Sequence, residues 1–512
     1  MARMRMAVLI MMATSSAALA EHNLQIMPLN ASGARLTWPA GAPHEAVFIQ
    51  RRPVGGPVPA ADVPESSREN HRFAELRADR QTTEEGWAML AICPPGTTRF
   101  ESVGMRAGRE YEHRMRIGTG AWQQFPNVTM AELPGNGAGE LRGRLLIGPD
   151  QTYKRNNGGH LVQRRDGALL MIYSRWPTQS DHAQGTVIGI IESDDGGKTW
   201  SNPRTLFEKD GFDLYNVSLL RLANGEIGLS YTKRRSGKAF TQWGEKVYRY
   251  SQDDGETWSE EIVMTEGRNR WYQTSRNGVM RQLQSGRLVQ PVTIIIDDGG
   301  EHKPVNNPAM WAGVFYSDDD GRTWQPASPL PMRGWDGNML HESTLVEWAP
   351  DQLLMLSRTP TGWQWANRSS DGGATWSEAE RTNIRSPEAP AQLMNVPDSD
   401  AILLVWNPYV GVGKRLGPRP ILASMVSRDG GRTWTNYREI EHAAVAHPWA
   451  TSAGYCYLAG LWVGDELHAV YSDMRGSDAD HISTNYLVLD CDRLLHPDAA
   501  PAERQQAAEA SE

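Results

Sequence analysis

Cysteine and long apolar runs are what this sequence lacks most clearly. Its 512 residues include three cysteines, Cys93, Cys456 and Cys491, which is too few for a fold that depends on a dense framework of disulfides. The sequence leaves open whether Cys456 and Cys491 pair. A transmembrane helix needs about 20 apolar residues in a row, and no stretch after the N-terminus provides them. A disulfide-rich scaffold and a membrane-spanning helix are therefore excluded.

Concentrated positive charge and metal-binding motifs are also missing. The chain has 52 Lys and Arg against 61 Asp and Glu, a formal charge of −9, with no basic block. Nucleic acid is therefore not expected as a partner, because phosphate binding requires a concentrated positive surface. No Cys or His spacing typical of a metal site occurs, and no Gly-rich phosphate loop follows a strand. We expect no metal and no catalytic cofactor.

The two ends of the chain differ from the rest in composition. Residues 1–20, MARMRMAVLIMMATSSAALA, have two arginines, then an apolar run at 6–12, then Ala-Leu-Ala at 18–20. This order is typical of a secretory signal peptide, and we predict cleavage after Ala20 and export to the periplasm or the medium. Residues 496–512 contain too little apolar surface to pack, and a disordered tail is predicted there.

Tryptophan is present in excess, with 19 Trp against 8 Phe. Five of them end copies of one octapeptide, S-x-D-x-G-x-T-W. The pattern predicts a β-hairpin turn in which Asp accepts bonds from backbone amides and Gly takes a positive φ. The Trp would then pack against a neighbouring unit. The copies are SDDGGKTW (193–200), SQDDGETW (251–258), SDDDGRTW (317–324), SSDGGATW (369–376) and SRDGGRTW (427–434).

The spacing of the octapeptides indicates a repeated four-stranded unit. Their tryptophans are 58, 66, 52 and 58 residues apart, a mean of 58.5, and short β-rich runs lie between them. At that period residues 140–495 hold about six units. The sequence therefore predicts an all-β fold, a six-bladed β-propeller, whose closure leaves few exposed strand edges.

Residues 21–135 lack the octapeptide and require another structure. ARLTWPAG (34–41) and GREYEHRMRIG (108–118) resemble the Trp-bearing early strand and the Tyr-bearing late strand of a fibronectin type III module. We predict a small β-sandwich over 21–135, joined to the propeller by the Pro- and Gly-rich stretch PGNGAGELRG (134–143).

The octapeptides resemble the Asp-box, or BNR, repeats of the sialidase (neuraminidase) superfamily over about residues 140–490. The resemblance implies the fold more than the activity, because such repeats lie on the rim and also occur in other enzymes and in binding proteins. In sialidases three arginines bind the substrate carboxylate, a Tyr paired with a Glu attacks the anomeric carbon, and an Asp is acid and base. A neutral Tyr is not repelled by the substrate carboxylate, and Arg binds a carboxylate with two parallel bonds.

Two segments match the family at the arginines and the glutamate. In HESTLVEWAPDQLLMLSRT (341–359), Glu342 and Arg358 are sixteen residues apart, close to the family spacing of about fifteen. In GPRPILASMVSRDGGRTW (417–434), Arg419 takes the place of an arginine that enters the strand before the last box. The resemblance implies that Arg358 and Arg419 bind substrate and that Glu342 is the base.

The nucleophile and the acid are implied by two further segments. SAGYCYLAGLWVGDELHAVY (452–471) resembles the nucleophile strand and gives Tyr455, with Tyr457 as the alternative because both would point to one face of an extended strand. SDHAQGTVIGIIESDDGG (180–197) resembles the loop before the first box and gives Asp181 as the acid, although this Asp also fits a turn cap. Five tryptophans outside the boxes could stack on sugar rings: Trp176, Trp271, Trp335, Trp363 and Trp365.

The first arginine of the family triad is where this sequence departs from the pattern. The usual Arg-Ile-Pro-like start is replaced by YKRNNGGHLVQRRDGALL (153–170), in which Arg155 is the nearest match, offset by about two residues. Without Arg155 the clamp would have two arginines, and the substrate would not be a typical sialoside.

Together these residues predict an exported retaining exo-glycosidase that releases terminal sialic acid or a related acidic sugar from glycans. Two alternatives stay open. One is another Asp-box propeller enzyme acting on acidic glycans, a glycosidase or a polysaccharide lyase. The other is a propeller that binds glycan without turnover, which the departure at Arg155 favours.

Overall fold

The structure is a computed structural model. It describes residues 24–40, 44–55, 85–132, 143–178, 184–236, 244–265, 271–274, 279–296, 310–332, 339–411, 418–443, 454–474 and 482–495. The predicted signal peptide, its cleavage site and the predicted C-terminal tail lie outside these ranges. Within them the regular secondary structure is almost entirely β-strand, which confirms the all-β class, and one short helix, α1 (Cys491–Leu495), follows the last strand. No helix in the described part is long and apolar enough to cross a membrane.

Two sheets form the N-terminal part of the described chain. One has the strand order β1-β2-β5, and the other has the order β4-β3-β6-β7, with β8 also pairing with β6. Their apolar faces share a core that includes Leu36, Trp38, Ile49 and Met115. The strands are β1 (Gln25–Pro28), β2 (Ala34–Thr37), β3 (Val47–Pro53), β4 (Ala88–Cys93), β5 (Arg99–Ser102), β6 (Glu110–Ile117), β7 (Gln123–Gln124) and β8 (Val128–Thr129).

The rest of the described chain forms six antiparallel sheets, numbered here 1 to 6 in chain order. Sheet 1 has β10 (Arg155–Gln163), β11 (Leu169–Trp176), β12 (Val187–Ser193) and β13 (Arg204–Phe207). Sheet 2 has β14 (Phe212–Arg221), β15 (Ile227–Arg235), β16 (Glu245–Ser251) and β17 (Ile262–Val263). Sheet 3 has β18 (Trp271–Thr274), β19 (Arg281–Gln282), β20 (Leu288–Ile296), β21 (Trp311–Ser317) and β22 (Gln325–Pro326).

Sheets 4 to 6 repeat the same up-and-down order. Sheet 4 has β23 (His341–Ala349), β24 (Gln352–Arg358), β25 (Trp363–Ser369) and β26 (Glu380–Arg385). Sheet 5 has β27 (Gln392–Asn395), β28 (Ile402–Trp406), β29 (Ile421–Ser427) and β30 (Thr435–His442). Sheet 6 has β31 (Tyr455–Val463), β32 (Glu466–Asp473) and β33 (Ser483–Asp490), and its fourth strand is β9 (Arg144–Ile147), which precedes sheet 1 in the chain.

Each octapeptide forms the turn that its sequence predicts. In the first box Asp195 accepts bonds from the backbone amide of Thr199 (2.8 Å) and from its hydroxyl (2.6 Å), while Ser193 Oγ accepts from the amide of Gly197 (2.8 Å). Gly197 has a φ of +85°, which only glycine adopts without strain. The same Ser, Asp, Gly and Thr contacts occur in the other four boxes.

Three of the box tryptophans pack against an aromatic ring of a neighbouring sheet. Trp258 of sheet 2 packs edge-on against Phe207 of sheet 1, and Trp324 of sheet 3 packs in the same way against Tyr248 of sheet 2. Trp200 of sheet 1 packs against Tyr486 of sheet 6, with ring centroids 5.6 Å apart. The first and last sheets are therefore neighbours, in agreement with the pairing of β9 with β33.

Bulges interrupt the first strand of four sheets. The register shifts at residues 157–160 of β10, 215–218 of β14, 341–344 of β23 and 456–459 of β31. Each shift contains a residue with positive φ: Gly158 (66°), Asn216 (56°), Glu342 (47°) and Tyr457 (56°). A bulge breaks the alternation of side chains between the two faces of a strand. A left-handed backbone costs a non-glycine residue about 1–3 kcal/mol, so Asn216, Glu342 and Tyr457 are strained and Gly158 is not.

The N-terminal sheets contact sheets 4 and 5. The amide of Tyr437 in β30 donates to Glu101 Oε2 (2.7 Å), and the Tyr437 hydroxyl is 2.7 Å from Ser32 Oγ. Asn383 in β26 exchanges two bonds with the backbone of Ile92. The two parts therefore share buried polar contacts and do not merely follow one another along the chain.

Candidate functional site

Glu342 and Arg358 form an ion pair inside sheet 4. Glu342 lies on β23 and Arg358 ends β24, the neighbouring strand. Arg358 Nη1 donates to Glu342 Oε2 at 2.5 Å, and both side chains are at least nine-tenths buried. The bulge at Glu342 is fixed from sheet 3, because its amide donates to Thr293 Oγ1 (2.8 Å). The structure thus brings together the glutamate and arginine that the sequence paired.

The structure brings Tyr457, and not Tyr455, to Glu342. The Tyr457 hydroxyl donates to Glu342 Oε1 at 3.0 Å. Tyr455 is completely buried, and its ring packs edge-on against Tyr471 in an apolar core. The expectation that both tyrosines share one face therefore needs correction: Tyr457 has a left-handed φ and lies in the bulge of β31, where alternation fails.

Arg419 enters the site from sheet 5. It forms a parallel bridge with Gly454 at the start of sheet 6, and its Nη2 donates to the carbonyl oxygen of Glu388 (2.6 Å). The Glu388 carboxylate accepts from Arg358 Nη2 at 3.0 Å. Glu388 thus contacts two of the predicted clamp arginines. Sequence reasoning missed it, since it lies in an irregular segment between β26 and β27 that carries no repeat.

Arg155 is buried on the other side of sheet 6. It bridges Ile482 in parallel at the start of β10, and its Nε donates to Asn157 Oδ1 (3.2 Å). Its guanidinium stacks over the Trp176 ring, 4.8 Å from the centroid. Arg155 is the arginine whose position is offset by about two residues from the family motif. The contacts with Asn157 and Trp176 hold its guanidinium within the fold.

The pKa of the Cys456 thiol is affected by three charged residues. Burial raises its pKa, Arg419 lowers it, Glu342 raises it, and Arg155 lowers it. One buried atom between Tyr455 and Tyr457 is therefore within electrostatic reach of both arginines and of the glutamate. The pKa of this thiol is thus affected by charged residues of three different sheets, Arg155, Arg419 and Glu342.

The charge of Arg358 is secured by its neighbours. Burial by itself lowers the pKa of this guanidinium, but Glu342, Glu388 and Tyr457 together raise it above its ordinary value. Arg358 is therefore always positively charged. Because two of its nitrogens donate to carboxylates, its guanidinium is held in one orientation.

A pocket adjoins this cluster at the bulges. Tyr457 lines it together with residues of the bulges in β10 and β14: Asn157, Gly158, Gly159, His160, Asn216 and Val217. His160 is neutral at ordinary pH because burial, with Arg281 and Lys246, lowers its pKa to about 3. The pocket is therefore lined by amides, a neutral imidazole and a phenol.

Other predicted residues do not join the cluster or are not described. Asp181 lies outside the described residues, as does Trp335. Trp176 and Trp363 are buried at 1% and 0% exposure, so their faces are not available for stacking on a sugar. All three cysteines are free, and Cys456 does not pair with Cys491. No group of three or more potential metal ligands occurs in the described ranges.

Comparison with known proteins places this geometry in context. The family model of the BNR repeat-like domain matches residues 212–459. A sialidase of Bacteroides fragilis is 26% identical over 311 residues, which are 54% of this chain and 53% of that protein. A sialidase of Paraclostridium sordellii is 27% identical over 236 residues, which are 41% of this chain and 54% of that protein. The chain spans about half the length of the curated relatives it matches.

Solved structures share the fold at low identity. The intramolecular trans-sialidase from Ruminococcus gnavus, in complex with oseltamivir carboxylate, superposes with a TM-score of 0.55 at 15% identity, covering 70% of this chain and 99% of that chain. Trypanosoma rangeli sialidase with 2,3-difluorosialic acid, a covalent intermediate, gives a TM-score of 0.52 at 15% identity, covering 70% and 60%. The repeats, the family model and these relatives agree: residues 212–459 match the BNR repeat-like domain family, and the chain is similar over about half of its length to curated sialidases.

Proposed function

We propose that this protein is a retaining exo-glycosidase of the sialidase type that releases a terminal sialic acid, or a related acidic sugar, from glycans. The observation that carries the proposal is the chain of contacts from the Tyr457 hydroxyl to Glu342 and from Glu342 to Arg358. The phenol is hydrogen-bonded to a carboxylate, and that carboxylate is ion-paired with a guanidinium. Such a phenol is a nucleophile with its base in place.

In the proposed reaction Tyr457, in place of Tyr455, attacks the anomeric carbon. Its phenol proton passes to Glu342 Oε1 as the bond from oxygen to carbon forms, and the bond from that carbon to the leaving oxygen breaks. Water then attacks the same carbon from the opposite face and releases the tyrosine, which recovers its proton from Glu342. Two inversions at one carbon retain its configuration.

Arg155, Arg358 and Arg419 would bind the sugar carboxylate. They come from sheets 1, 4 and 5, and the shared effect of Arg155 and Arg419 on Cys456 supports a common location. Asp181 stays the predicted acid that protonates the leaving oxygen and later activates water. This role rests on the resemblance of its segment to the family loop before the first box.

The six sheets are proposed to be the blades of a closed six-bladed propeller. Support comes from β9, which completes sheet 6, and from Trp200, which packs on Tyr486 across the junction of the first and last sheets. The N-terminal sheets, with orders β1-β2-β5 and β4-β3-β6-β7, are proposed to be the fibronectin type III-like sandwich. Export, with cleavage after Ala20, is proposed from the N-terminal pattern alone.

The test is hydrolysis of 4-methylumbelliferyl α-sialoside by the purified protein, with the first-formed anomer identified by proton NMR. Tyr457→Phe removes the hydroxyl but keeps the ring, and kcat is expected to fall by about 100-fold or more. Tyr455→Phe is the matched control, because the same atom is removed in the apolar core. Its kcat is expected to stay within about threefold of wild type.

Four results would contradict the proposal in different ways. Equal activity of wild type and Tyr457→Phe would exclude Tyr457 as the nucleophile. Loss of activity in Tyr455→Phe alone would indicate that Tyr455 is the nucleophile. Saturable sialoside binding without product would favour the binding propeller. Turnover of another acidic glycan, with none of any sialoside, would favour a different glycosidase or a lyase.

A further inference from the structure

We propose that Glu388 is a positioning residue that orients the carboxylate clamp by holding Arg358 and Arg419 at the same time. The inference rests on the proposed function and adds a residue that the matched motifs do not contain. The Glu388 carboxylate accepts from Arg358 Nη2 (3.0 Å), and its carbonyl oxygen accepts from Arg419 Nη2 (2.6 Å). One residue therefore contacts arginines of sheets 4 and 5.

Glu388 is itself carried by a rigid segment. Pro387 and Pro390 lie on either side of Glu388-Ala389, and proline fixes φ near −65°. The buried Gln364 side chain donates from Nε2 to Ser386 Oγ (3.0 Å) and to the carbonyl of Ala389 (2.8 Å). The segment is thus fastened immediately before and after Glu388, so its carboxylate is presented at a fixed place.

The contacts of Arg358 show why a second carboxylate matters. Glu342 binds Nη1 and Glu388 binds Nη2, so each terminal nitrogen has its own partner. A guanidinium held at one nitrogen can pivot, whereas one held at both has a fixed plane. Glu342 is also proposed as the base that exchanges a proton with Tyr457. Glu388 would hold Arg358 while the charge of Glu342 changes during the reaction.

The test compares wild type with Glu388→Ala, Glu388→Asp and Glu388→Gln. We would measure kcat and KM on 4-methylumbelliferyl α-sialoside, and the Kd of 2-deoxy-2,3-didehydro-N-acetylneuraminic acid by calorimetry. A bond to a charged group contributes about 1.5–3 kcal/mol, so Glu388→Ala is expected to raise KM and Kd by about tenfold or more, with a smaller effect on kcat. Glu388→Asp withdraws the carboxylate by one methylene and is expected to raise both constants although the charge is kept.

Glu388→Gln keeps an acceptor oxygen at the same reach and is expected to restore KM and Kd to within about threefold of wild type. The control is Glu347→Ala. Glu347 is a buried carboxylate of β23 that accepts from the amides of Gln284 and Asp351, away from the clamp. This change should lower the melting temperature and leave KM unchanged, which is what a merely structural role predicts.

The outcomes separate the inference from the proposed function. Turnover by wild type with unchanged KM and Kd in Glu388→Ala and Glu388→Asp overturns the role of Glu388 alone. Binding of the analogue without turnover, weakened in both variants, removes hydrolysis and keeps the clamp. Wild type that neither binds nor hydrolyses overturns both. If Glu388→Ala does not fold, the comparison of Glu388→Asp with Glu388→Gln still tests whether Glu388 positions the clamp.

Discussion

Arg358 shows, at the scale of single residues, how the site depends on buried charge. It is 4% exposed and contacts two carboxylates, each of which is also shielded from water. Placing charges away from water is costly, and only their mutual attraction offsets that cost. Removing Arg358 would leave Glu342 and Glu388 shielded from water without the guanidinium that each of them contacts.

Arg358→Met is therefore expected to lower the free energy of unfolding by about 3–5 kcal/mol and to abolish turnover. The measurement is urea denaturation followed by tryptophan fluorescence. Arg428→Met is the control, because the Arg428 and Asp400 side chains of that pair are 51% and 68% exposed and an exposed pair contributes about 0–1 kcal/mol. Equal midpoints for the two variants would show that the Arg358 cluster is not needed for stability.

The choice between the two tyrosines shows where sequence reasoning stopped. Tyr455 and Tyr457 are two residues apart, and in a regular strand they share a face. The bulge that separates them follows from backbone pairing between β31 and β32 and has no residue signature, because Tyr is not a residue that favours positive φ. Glu342 and Arg358 could be predicted because their spacing matches a family strand pair and survives the bulge.

At the scale of elements, hydroxyls of one sheet fix the first strand of the next. Thr293 Oγ1 in β20 accepts from the amide of Glu342 in β23, and Thr344 Oγ1 in β23 accepts from the amide of Leu393 in β27 (3.1 Å). Both threonines are buried. The contacts are equivalent, but only the first supports a residue of the proposed site.

Thr293→Val keeps the shape of the side chain and removes the acceptor, leaving a buried N–H of Glu342 without its bond. A loss of about 1–3 kcal/mol of stability is expected, together with a fall in kcat because Glu342 is no longer fixed against Tyr457. Thr344→Val should cost similar stability and leave kcat unchanged. Equal kcat in the two variants would show that the bulge at Glu342 holds its place unaided.

The Asp boxes make the stability of the sheets depend on acid pH. Hydrogen bonds from Thr199 hold the pKa of Asp195 at about 2, and those from Thr257 do the same for Asp253. A carboxyl whose pKa is lowered by folding stabilises the folded protein fully at a pH above its unfolded pKa, which is near 4. This contribution is lost as the pH falls from 4 towards 2. The boxes therefore favour the folded state fully at neutral pH.

Asp253→Asn is expected to lower the melting temperature at pH 6, and the difference from wild type should shrink steadily between pH 4 and pH 3. Differential scanning calorimetry over that range measures it. Asp194, the variable second residue of the first box, gives the control Asp194→Asn, for which a smaller difference at pH 6 is expected. A difference for Asp253→Asn that does not change with pH would rule out ionisation as the cause.

At the scale of the whole molecule, the repeats predicted six units, and the described part of the chain has six sheets after the N-terminal part. The period and the box turns are local features, so the sequence carries them directly. The contribution of β9 to sheet 6, the contacts of Glu388 and the docking of the N-terminal sheets join residues that are far apart in the chain. Contacts between distant residues produce no regular spacing in a single sequence. They could therefore not be predicted and are seen only in the structure.

Gly104 lies at the contact between the N-terminal sheets and sheet 5, and it makes that contact testable. Its φ is +72°, and a Cβ there would lie 2.1 Å from the carbonyl oxygen of Pro408. Gly96 has a φ of +80° with no atom within 4 Å of its Cβ position. Alanine at either position has a backbone cost of about 1–2 kcal/mol, but only Gly104→Ala also forces the two parts of the molecule to separate.

Gly104→Ala is therefore expected to loosen the N-terminal sheets from sheet 5, whereas Gly96→Ala should leave them docked. Limited trypsin digestion followed by mass spectrometry measures this as the rate at which the chain is cut between the two parts. The N-terminal sheets also contact the segment of Glu388, since Arg385 donates to the carbonyl of Met89 (3.3 Å). A raised KM is thus expected to accompany the faster cleavage in Gly104→Ala alone. Identical digestion of the two variants would mean that the contact at Pro408 does not hold the parts together.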